Sequence, residues 1–142
     1  MPHINPYLTF SGNCEEVFEF YKAAFGGEFA AKVRFKDTQT EQPMPVDEGE
    51  KIMHVSLPIG KGTLLMGSDM PKSMGAVTPG NLFSISVNTD SENEATTIFN
   101  KLSSGGKVSM PLQKTFWGAF FGMFTDKFGV RWMVSYDYQQ PS

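Results

Sequence analysis

The segment Phe116–Tyr136, FWGAFFGMFTDKFGVRWMVSY, carries the clearest indication of the fold. Its first part is rich in aromatic residues and glycine, its last part is apolar and β-prone, and Asp126–Gly129 between them has the composition of a tight turn. The segment therefore predicts a β-hairpin. Because side chains alternate along a strand, the closing strand has one face that suits a core and another that suits the wall of a cavity. The first face consists of Trp132, Val134 and Tyr136, and the second face consists of Arg131, Met133 and Ser135.

At the start of the chain we predict one helix and four strands before residue 69. Asn13 is a typical N-cap, and Glu16 three residues later completes a capping box; apolar residues then recur at helical spacing up to Gly26. The polar segment Lys36–Glu50 has no periodicity, so we predict a loop there. The predicted strands are Ile4–Phe10, Glu28–Phe35, Lys51–Ile59 and one that begins at Thr63–Met66.

The second half of the chain repeats this order. The segment Asp69–Gly80 is rich in proline, glycine and serine and predicts a joint. Ser91 and Glu94 again form a capping-box pattern, and the helix they open is predicted to end near Ser103, before two glycines. The predicted strands are Asn81–Asn88, Lys107–Met110 and the two strands of the hairpin.

The repeated order predicts an α+β fold built from two βαβββ modules that form a curved sheet with a shared cleft. We expect one domain over residues 1–142, with modules at about 3–68 and 81–138 joined by residues 69–80. A ligand is expected in the cleft. The alternative is a single α+β sandwich without duplication.

Composition excludes several classes of function. The 15 acidic and 12 basic residues give a net charge of −3 with no basic block, so we expect neither a nucleic acid nor a membrane surface as partner. Cys14 is the single cysteine, which leaves no intrachain disulfide or thiolate zinc cluster. No secretory signal or run of about 20 apolar residues is evident, and we predict a cytoplasmic protein.

Three stretches carry a resemblance to a known family. They are PYLTFSGNCEEVFEFYKAAFGGE near the start, LLMGSDMP before the joint, and FWGAFFG with TDKFGVRWMV at the end. Together with the order of elements, they resemble PhnB-like proteins of the vicinal oxygen chelate superfamily, which includes glyoxalases, bleomycin-resistance proteins and dioxygenases. The resemblance spans nearly the whole chain and implies a homodimer. Some relatives are named demethylubiquinone methyltransferases, but the glycine-rich turn and acidic strand end of a methyl-donor site are not evident.

In metal-dependent members, the resemblance implies a divalent ion held by histidine and glutamate at four equivalent strand positions. The corresponding positions here are Asn5 (or Pro6 in an ungapped alignment), Met66, Ser84 and Met133. Thioethers, one hydroxyl and one amide are poor ligands for a hard divalent cation. We therefore predict no metal, no cofactor and a small organic ligand in a metal-free cleft. The alternative is a metal-dependent glyoxalase- or dioxygenase-like enzyme with noncanonical ligands.

His54 is the candidate for a catalytic base. The strand Lys51–Ile59 predicts His54 and Ser56 on the face opposite the apolar residues Met53, Val55, Leu57 and Ile59. An imidazole that faces a cavity can act as a base or donate a hydrogen bond. A partly buried histidine with satisfied hydrogen bonds is the alternative.

Arg131 and Ser84 are further ligand-binding candidates. Arg131 shares a face with Met133 and could meet an anionic group, or it could lie in solvent at an edge. Ser84, with Ser86, would add hydroxyls to the same cavity. Cys14 lies in the first turn of a helix beside two glutamates, which oppose activation of its thiol, so we expect a structural role.

The aromatic residues of the last hairpin and nine methionines are the most unusual feature of the composition. They could form a pocket for a flat or apolar molecule, with Trp117 as the leading ligand contact, or they could be ordinary core or dimer interface. The hairpin aromatics are Phe116, Trp117, Phe120, Phe121 and Phe124. The loop Lys36–Glu50 would be a natural lid over such a pocket, or it would have no role. A dimeric domain whose own side chains fill its clefts remains a third possibility.

Overall fold

The predicted order of elements occurs twice in the structure. The computed structural model describes residues 2–37 and 46–138, and the chain divides into two compact units, Met1–Thr78 and Pro79–Ser142. Each unit contains a four-stranded sheet and a helix of twelve residues. The α+β class and the two βαβββ modules are confirmed.

The first unit has its strands in the order β1-β4-β3-β2, with β1 parallel to β4 and the other pairs antiparallel. Its elements are β1 (Tyr7–Phe10), α1 (Cys14–Phe25), β2 (Ala31–Arg34), a 3₁₀ turn (Phe35–Asp37), a short helix α2 (Val46–Gly49), β3 (Ile52–Ile59) and β4 (Thr63–Asp69). A second 3₁₀ turn, Lys72–Met74, follows β4.

The second unit repeats this topology as β5-β8-β7-β6, with β5 parallel to β8. Its elements are β5 (Ile85–Asn88), α3 (Glu92–Ser103), β6 (Lys107–Lys114), β7 (Ala119–Thr125) and β8 (Arg131–Asp137). The hairpin predicted for the end of the chain is β7 and β8, which pair antiparallel from Ala119–Asp137 to Thr125–Arg131. No helix within residues 2–37 and 46–138 is long and apolar enough to cross a membrane.

The core of the first unit lies between α1 and one face of its sheet. The helix buries one stripe at helical spacing, and β3 contributes Val55 and Leu57. Gly67 in β4 lets the helix approach closely: a Cβ at this position would lie 2.7 Å from Phe18 Cε1 and 2.8 Å from the Leu8 carbonyl oxygen. The buried helical residues are Cys14, Val17, Phe18, Tyr21 and Ala24.

The core of the second unit is built in the same way. Phe99 of α3 contacts Phe124 edge to face, with ring centroids 5.0 Å apart. Trp132 and Val134 are buried, so the face of β8 predicted to be core is confirmed for both residues. The buried carboxylate of Asp126 holds the hairpin turn, because it accepts hydrogen bonds from two turn amides and from Trp132 Nε1.

The two helices begin in different ways. Ser91 Oγ accepts a hydrogen bond from the Glu94 amide, as predicted, and Glu94 Oε1 accepts one from the Asp90 amide. The predicted side-chain cap of Asn13 is wrong: Asn13 precedes α1, but its side chain makes no capping hydrogen bond. Asp69, at the end of β4, takes that role through Oδ1.

Several predicted boundaries are corrected. β1 begins at Tyr7 and β5 at Ile85, both later than predicted, whereas β6 continues to Lys114. The segment Lys36–Glu50 contains the end of a 3₁₀ turn and α2, and residues 38–45 of the predicted lid lie outside the described residues.

The predicted core face of β3 also needs one correction. The register of β2 against β3 shifts between Val33 and Arg34: Val33 pairs with His54 and Arg34 pairs with Ile52, so Met53 has no partner in this register. Ile52 is therefore buried and Met53 is exposed, the reverse of strict alternation.

Candidate functional site

In the first unit, the candidate site lies on the sheet face opposite α1. Tyr7 lies beside Met66 in the parallel pair, and Met66 lies beside Ser56 in the antiparallel pair, so the three form one row across the sheet. Residues paired in register point to the same face. The neighbouring β4 residue, Gly67, contacts the helix, which assigns this row to the other face.

His54 lies on this face with Tyr7. The imidazole and phenol rings are stacked, with centroids 6.0 Å apart and planes 28° apart. His54 is half-buried and pairs with Val33 in β2. His54 was predicted to lie on the face of β3 opposite Val55 and Leu57; these two residues are in the core and His54 is not, so the prediction is confirmed.

Asn5 has a structural contact in the first unit. It precedes β1, and its Oδ1 accepts a hydrogen bond of 2.9 Å from the Leu64 amide. The next residue, Pro6, accepts one from the Met66 amide, which extends the β1–β4 ladder. The register therefore places Tyr7, rather than Asn5 or Pro6, opposite Met66.

In the second unit, Met133 occupies the position that corresponds to Met66. It lies opposite Ser86 across the parallel β5–β8 pair and opposite Met123 across the β7–β8 pair. The predicted site residue Ser84 lies before β5 and is exposed, because this strand begins only at Ile85. Ser86 is the serine that the register brings to Met133.

Arg131 is tied to the backbone near the start of this unit. In the β7–β8 hairpin, Arg131 pairs with Thr125 next to the turn. Its Nη1 donates a hydrogen bond to the Asn81 carbonyl oxygen. This contact uses part of the guanidinium, which carries five donors, so it leaves N–H groups for an anion.

Trp117 lies in the turn between β6 and β7 and not in a strand. Phe116 is 98% exposed and Trp117 is 56% exposed, and their rings meet edge to face at 5.0 Å. The turn is closed by the Thr115 amide, which donates to the Ala119 carbonyl oxygen, and by Gly118, whose φ of +91° favours glycine. Trp117 also meets Phe121 at 5.8 Å, whereas Phe124 belongs to the core.

A separate crevice of about 310 Å³ opens beside the N-terminus of α1. The Arg34 guanidinium binds both carboxylate oxygens of Glu15 on its wall, and Lys51 pairs with Glu48 at 2.8 Å. Hydrogen bonds from Arg34 and then from Lys32 lower the pKa of Glu15 to about 2. Both basic groups of the lining are therefore already paired, and we interpret the crevice as a solvated ion-pair network.

Cys14 is the first residue of α1 and is not a reactive group. Its side chain is fully buried, and burial, followed by the nearby charges of Asp69 and Glu15, raises the pKa of the thiol far above its usual range. A thiol held in its neutral form is a poor nucleophile. The structural role predicted for Cys14 agrees with this environment.

Comparison with known proteins decides the family. The family model of the glyoxalase/bleomycin resistance protein/dioxygenase superfamily matches residues 3–134. The chain belongs to this superfamily. Protein YjdN of Escherichia coli K12 is 30% identical over 98% of both chains.

Solved structures of the superfamily agree with this assignment. Protein PA1353 from Pseudomonas aeruginosa is 45% identical, with a TM-score of 0.84 over 96% of this chain and 98% of that one. The PhnB protein from Bacillus cereus, named as a candidate 3-demethylubiquinone-9 3-methyltransferase, is 27% identical, with a TM-score of 0.73 over 95% and 99%. The resemblance to PhnB-like proteins of this superfamily is confirmed.

The superfamily's divalent metal does not fit the residues present. The pairs that the parallel ladders bring together are Tyr7 with Met66 and Ser86 with Met133, which offer a phenol, a hydroxyl and two thioethers. Hard cations prefer carboxylate and carbonyl oxygens, and zinc prefers imidazole, thiolate or carboxylate. Within residues 2–37 and 46–138, no group of three or more histidine, cysteine or acidic side chains could hold a metal ion.

Sequence reasoning missed Tyr7 as the partner of Met66, whereas Ser86, the partner of Met133, was already named with Ser84 as a cavity hydroxyl. A signal for Tyr7 was available, because the apolar residues Leu8 and Phe10 share one face of the strand by alternation, which leaves Tyr7 on the other face. Which residue lies beside Met66 depends on the register of a parallel pair, and that required the structure.

Proposed function

We propose that this member of the glyoxalase superfamily binds a small organic molecule without a metal ion, on the sheet faces that lie away from the helices. The observation that supports this proposal is the pairing of Tyr7 with Met66 and of Ser86 with Met133. Aromatic and thioether groups suit an organic ligand, because rings supply contact area and methionine adapts its shape. Arg131 and Trp117 are proposed as further ligand contacts.

We also propose a cytoplasmic homodimer. The exposed apolar side chains of the second unit, Leu82, Phe83, Phe116 and Trp117, support self-association, because large exposed apolar groups often mark an interface. Light scattering coupled to gel filtration measures the mass directly. A mass near that of one 15.8 kDa chain at micromolar concentration would contradict the dimer.

The first test of the proposed function is metal analysis of the purified, tag-free protein. We expect less than about 0.1 equivalent of any divalent metal, and no change in melting temperature with Mg²⁺, Mn²⁺, Ni²⁺ or Zn²⁺. A metal at 100 times its Kd would add about 2.7 kcal/mol of stability, which raises the melting temperature of a chain of this size by roughly 5–10 °C. A stoichiometric, stabilising metal would overturn the proposal.

The variant His54→Ala extends this test, because His54 is the imidazole on the candidate face. If a metal binds and this variant loses it, the noncanonical metal-dependent enzyme becomes the better explanation. If a metal binds equally well to the variant, its site lies elsewhere in the chain.

A further inference from the structure

We propose that Tyr7 and His54 form the recognition element of the first unit for a flat aromatic molecule that carries an oxygen substituent, of the phenol or hydroxybenzoate class. The proposal rests on the proposed function, since it assigns a ligand class to the same sheet face. It adds Tyr7, a residue outside the predicted site, and it gives His54 a role in binding.

The shape of the pair favours a flat ring. The two rings are stacked within 28° of parallel, with centroids 6.0 Å apart, so a flat ring that stacks on one of them lies nearly parallel to both. Tyr7 is 49% exposed, so a ligand can reach this surface. Offset stacking and edge-to-face contacts both form readily on such a surface.

Met66 extends the surface along the row. It lies beside Tyr7 in register and is half-buried on the same face. A thioether makes favourable contacts with the edge of an aromatic ring, and its flexible chain adapts to ligands of different outline. A saturated ring of similar size would keep the apolar contact but lose the sulfur–aromatic and stacking contributions.

The polar atoms of the pair explain why the ligand should carry oxygen. Within residues 2–37 and 46–138, neither the Tyr7 hydroxyl nor a ring nitrogen of His54 forms a hydrogen bond with the protein. A neutral imidazole offers one donor and one acceptor, and the phenol offers one of each. A hydroxyl or carboxylate on the ligand's ring can therefore form hydrogen bonds with the Tyr7 hydroxyl and the His54 ring nitrogens.

The experiment uses the small number of histidines in the chain. The sequence contains two, His3 and His54, so the full-length variant His3→Gln leaves His54 as the single source of imidazole proton signals. These signals are followed by NMR during titration with 4-hydroxybenzoate. The matched probe is trans-4-hydroxycyclohexanecarboxylate, which has the same substituents on a saturated ring.

We expect saturable shifts of the His54 signals with 4-hydroxybenzoate and binding about fivefold weaker for the saturated probe, because an aromatic pair contributes about 1 kcal/mol beyond its area. Tyr7→Leu should weaken binding of the aromatic probe by a similar factor. The control Phe128→Leu, in the β7–β8 turn of the second unit, should leave it unchanged. Circular dichroism checks that both variants are folded.

The outcomes separate this inference from the proposed function. If calorimetry detects binding of 4-hydroxybenzoate but the His54 signals do not move, the ligand lies elsewhere and the Tyr7–His54 assignment is overturned. If neither probe binds at millimolar concentration, the assignment is also overturned, whereas the metal-free proposal still depends on metal analysis alone. Equal weakening by Tyr7→Leu and Phe128→Leu would also contradict a specific role for Tyr7.

Discussion

The carboxylate of Asp69 ties together three parts of the first unit, and we expect Asp69→Asn to destabilise the protein strongly. Oδ1 accepts hydrogen bonds from the Gly12 and Cys14 amides, and Oδ2 accepts one from the Ile52 amide, each 2.9 Å long. The side chain is 2% exposed. It therefore caps α1 and fixes the start of β3 against the end of β4.

The magnitude follows from these three contacts. An asparagine has one acceptor oxygen, so in either orientation its NH₂ group meets at least one amide donor that then loses its partner. An unsatisfied buried donor costs about 1–3 kcal/mol, and loss of the negative charge at the helix N-terminus costs about 0.3–1 kcal/mol more. A neutral amide is cheaper to bury than a carboxylate, which offsets part of the loss. We expect a net decrease in the free energy of unfolding of about 2–4 kcal/mol.

Urea unfolding followed by far-UV circular dichroism measures this change. With an m-value of about 2 kcal/mol/M, the midpoint should fall by roughly 1–2 M. The control is Asp47→Asn, which removes the same charge from an exposed side chain with no described hydrogen bond and should change stability by less than about 0.5 kcal/mol. If Asp69→Asn were as mild as this control, the carboxylate would not be the helix cap that its contacts indicate.

Three further predictions concern the same unit. Glu15→Gln should lower the free energy of unfolding by less than about 1 kcal/mol at pH 7, because the ion pairs of Glu15 are partly solvated. Since folding lowers the pKa of Glu15 from 4.5 to about 2, the difference in stability between the variant and wild type should disappear as the pH falls from 4.5 to 2. The control Glu28→Gln removes a carboxylate whose side chain is 87% exposed and should change stability less at pH 7, and an equal loss in both variants would contradict the assignment. Gly67→Ala should destabilise the protein by about 1–3 kcal/mol in a thermal or urea melt, because the added Cβ would lie within 3 Å of the Phe18 ring and the Leu8 carbonyl oxygen. The control Gly80→Ala adds a Cβ in open space and should be nearly neutral. Cys14 should not react with a thiol reagent at pH 8 until the protein is unfolded in urea, and fast reaction of the folded protein would contradict its burial.

The local elements could be predicted from the sequence because their causes lie within a few residues. Ser91 and Glu94 cap α3 three residues apart, and the hairpin turn at Asp126–Gly129 has its composition in the turn itself. The alternation in β8 places Trp132 and Val134 in the core. Helical and strand periodicities are properties of short windows, so the repeated order of elements can also be predicted from the sequence.

The site was decided by contacts between distant segments. Asn13 has the residue type of a cap, yet Asp69 performs the capping from 55 to 57 residues away. Likewise, the resemblance implied Asn5 or Pro6 as the site position of the first strand, and the parallel register brings Tyr7 opposite Met66 instead. Met53 was predicted in the core of β3, and a shift in the β2–β3 register exposes it.

The physical reason is the same in each case. A parallel pair has no connecting hairpin turn to set its register, so the alignment of β1 with β4 follows from how α1 packs on both strands, and a one-residue change would move every side chain to the other face. The sequence by itself determined the elements, their order and the residues suited to a core. Only the tertiary structure decided which side chains meet on the open face of each sheet, because that depends on a register held by packing and by buried hydrogen bonds such as those of Asp69.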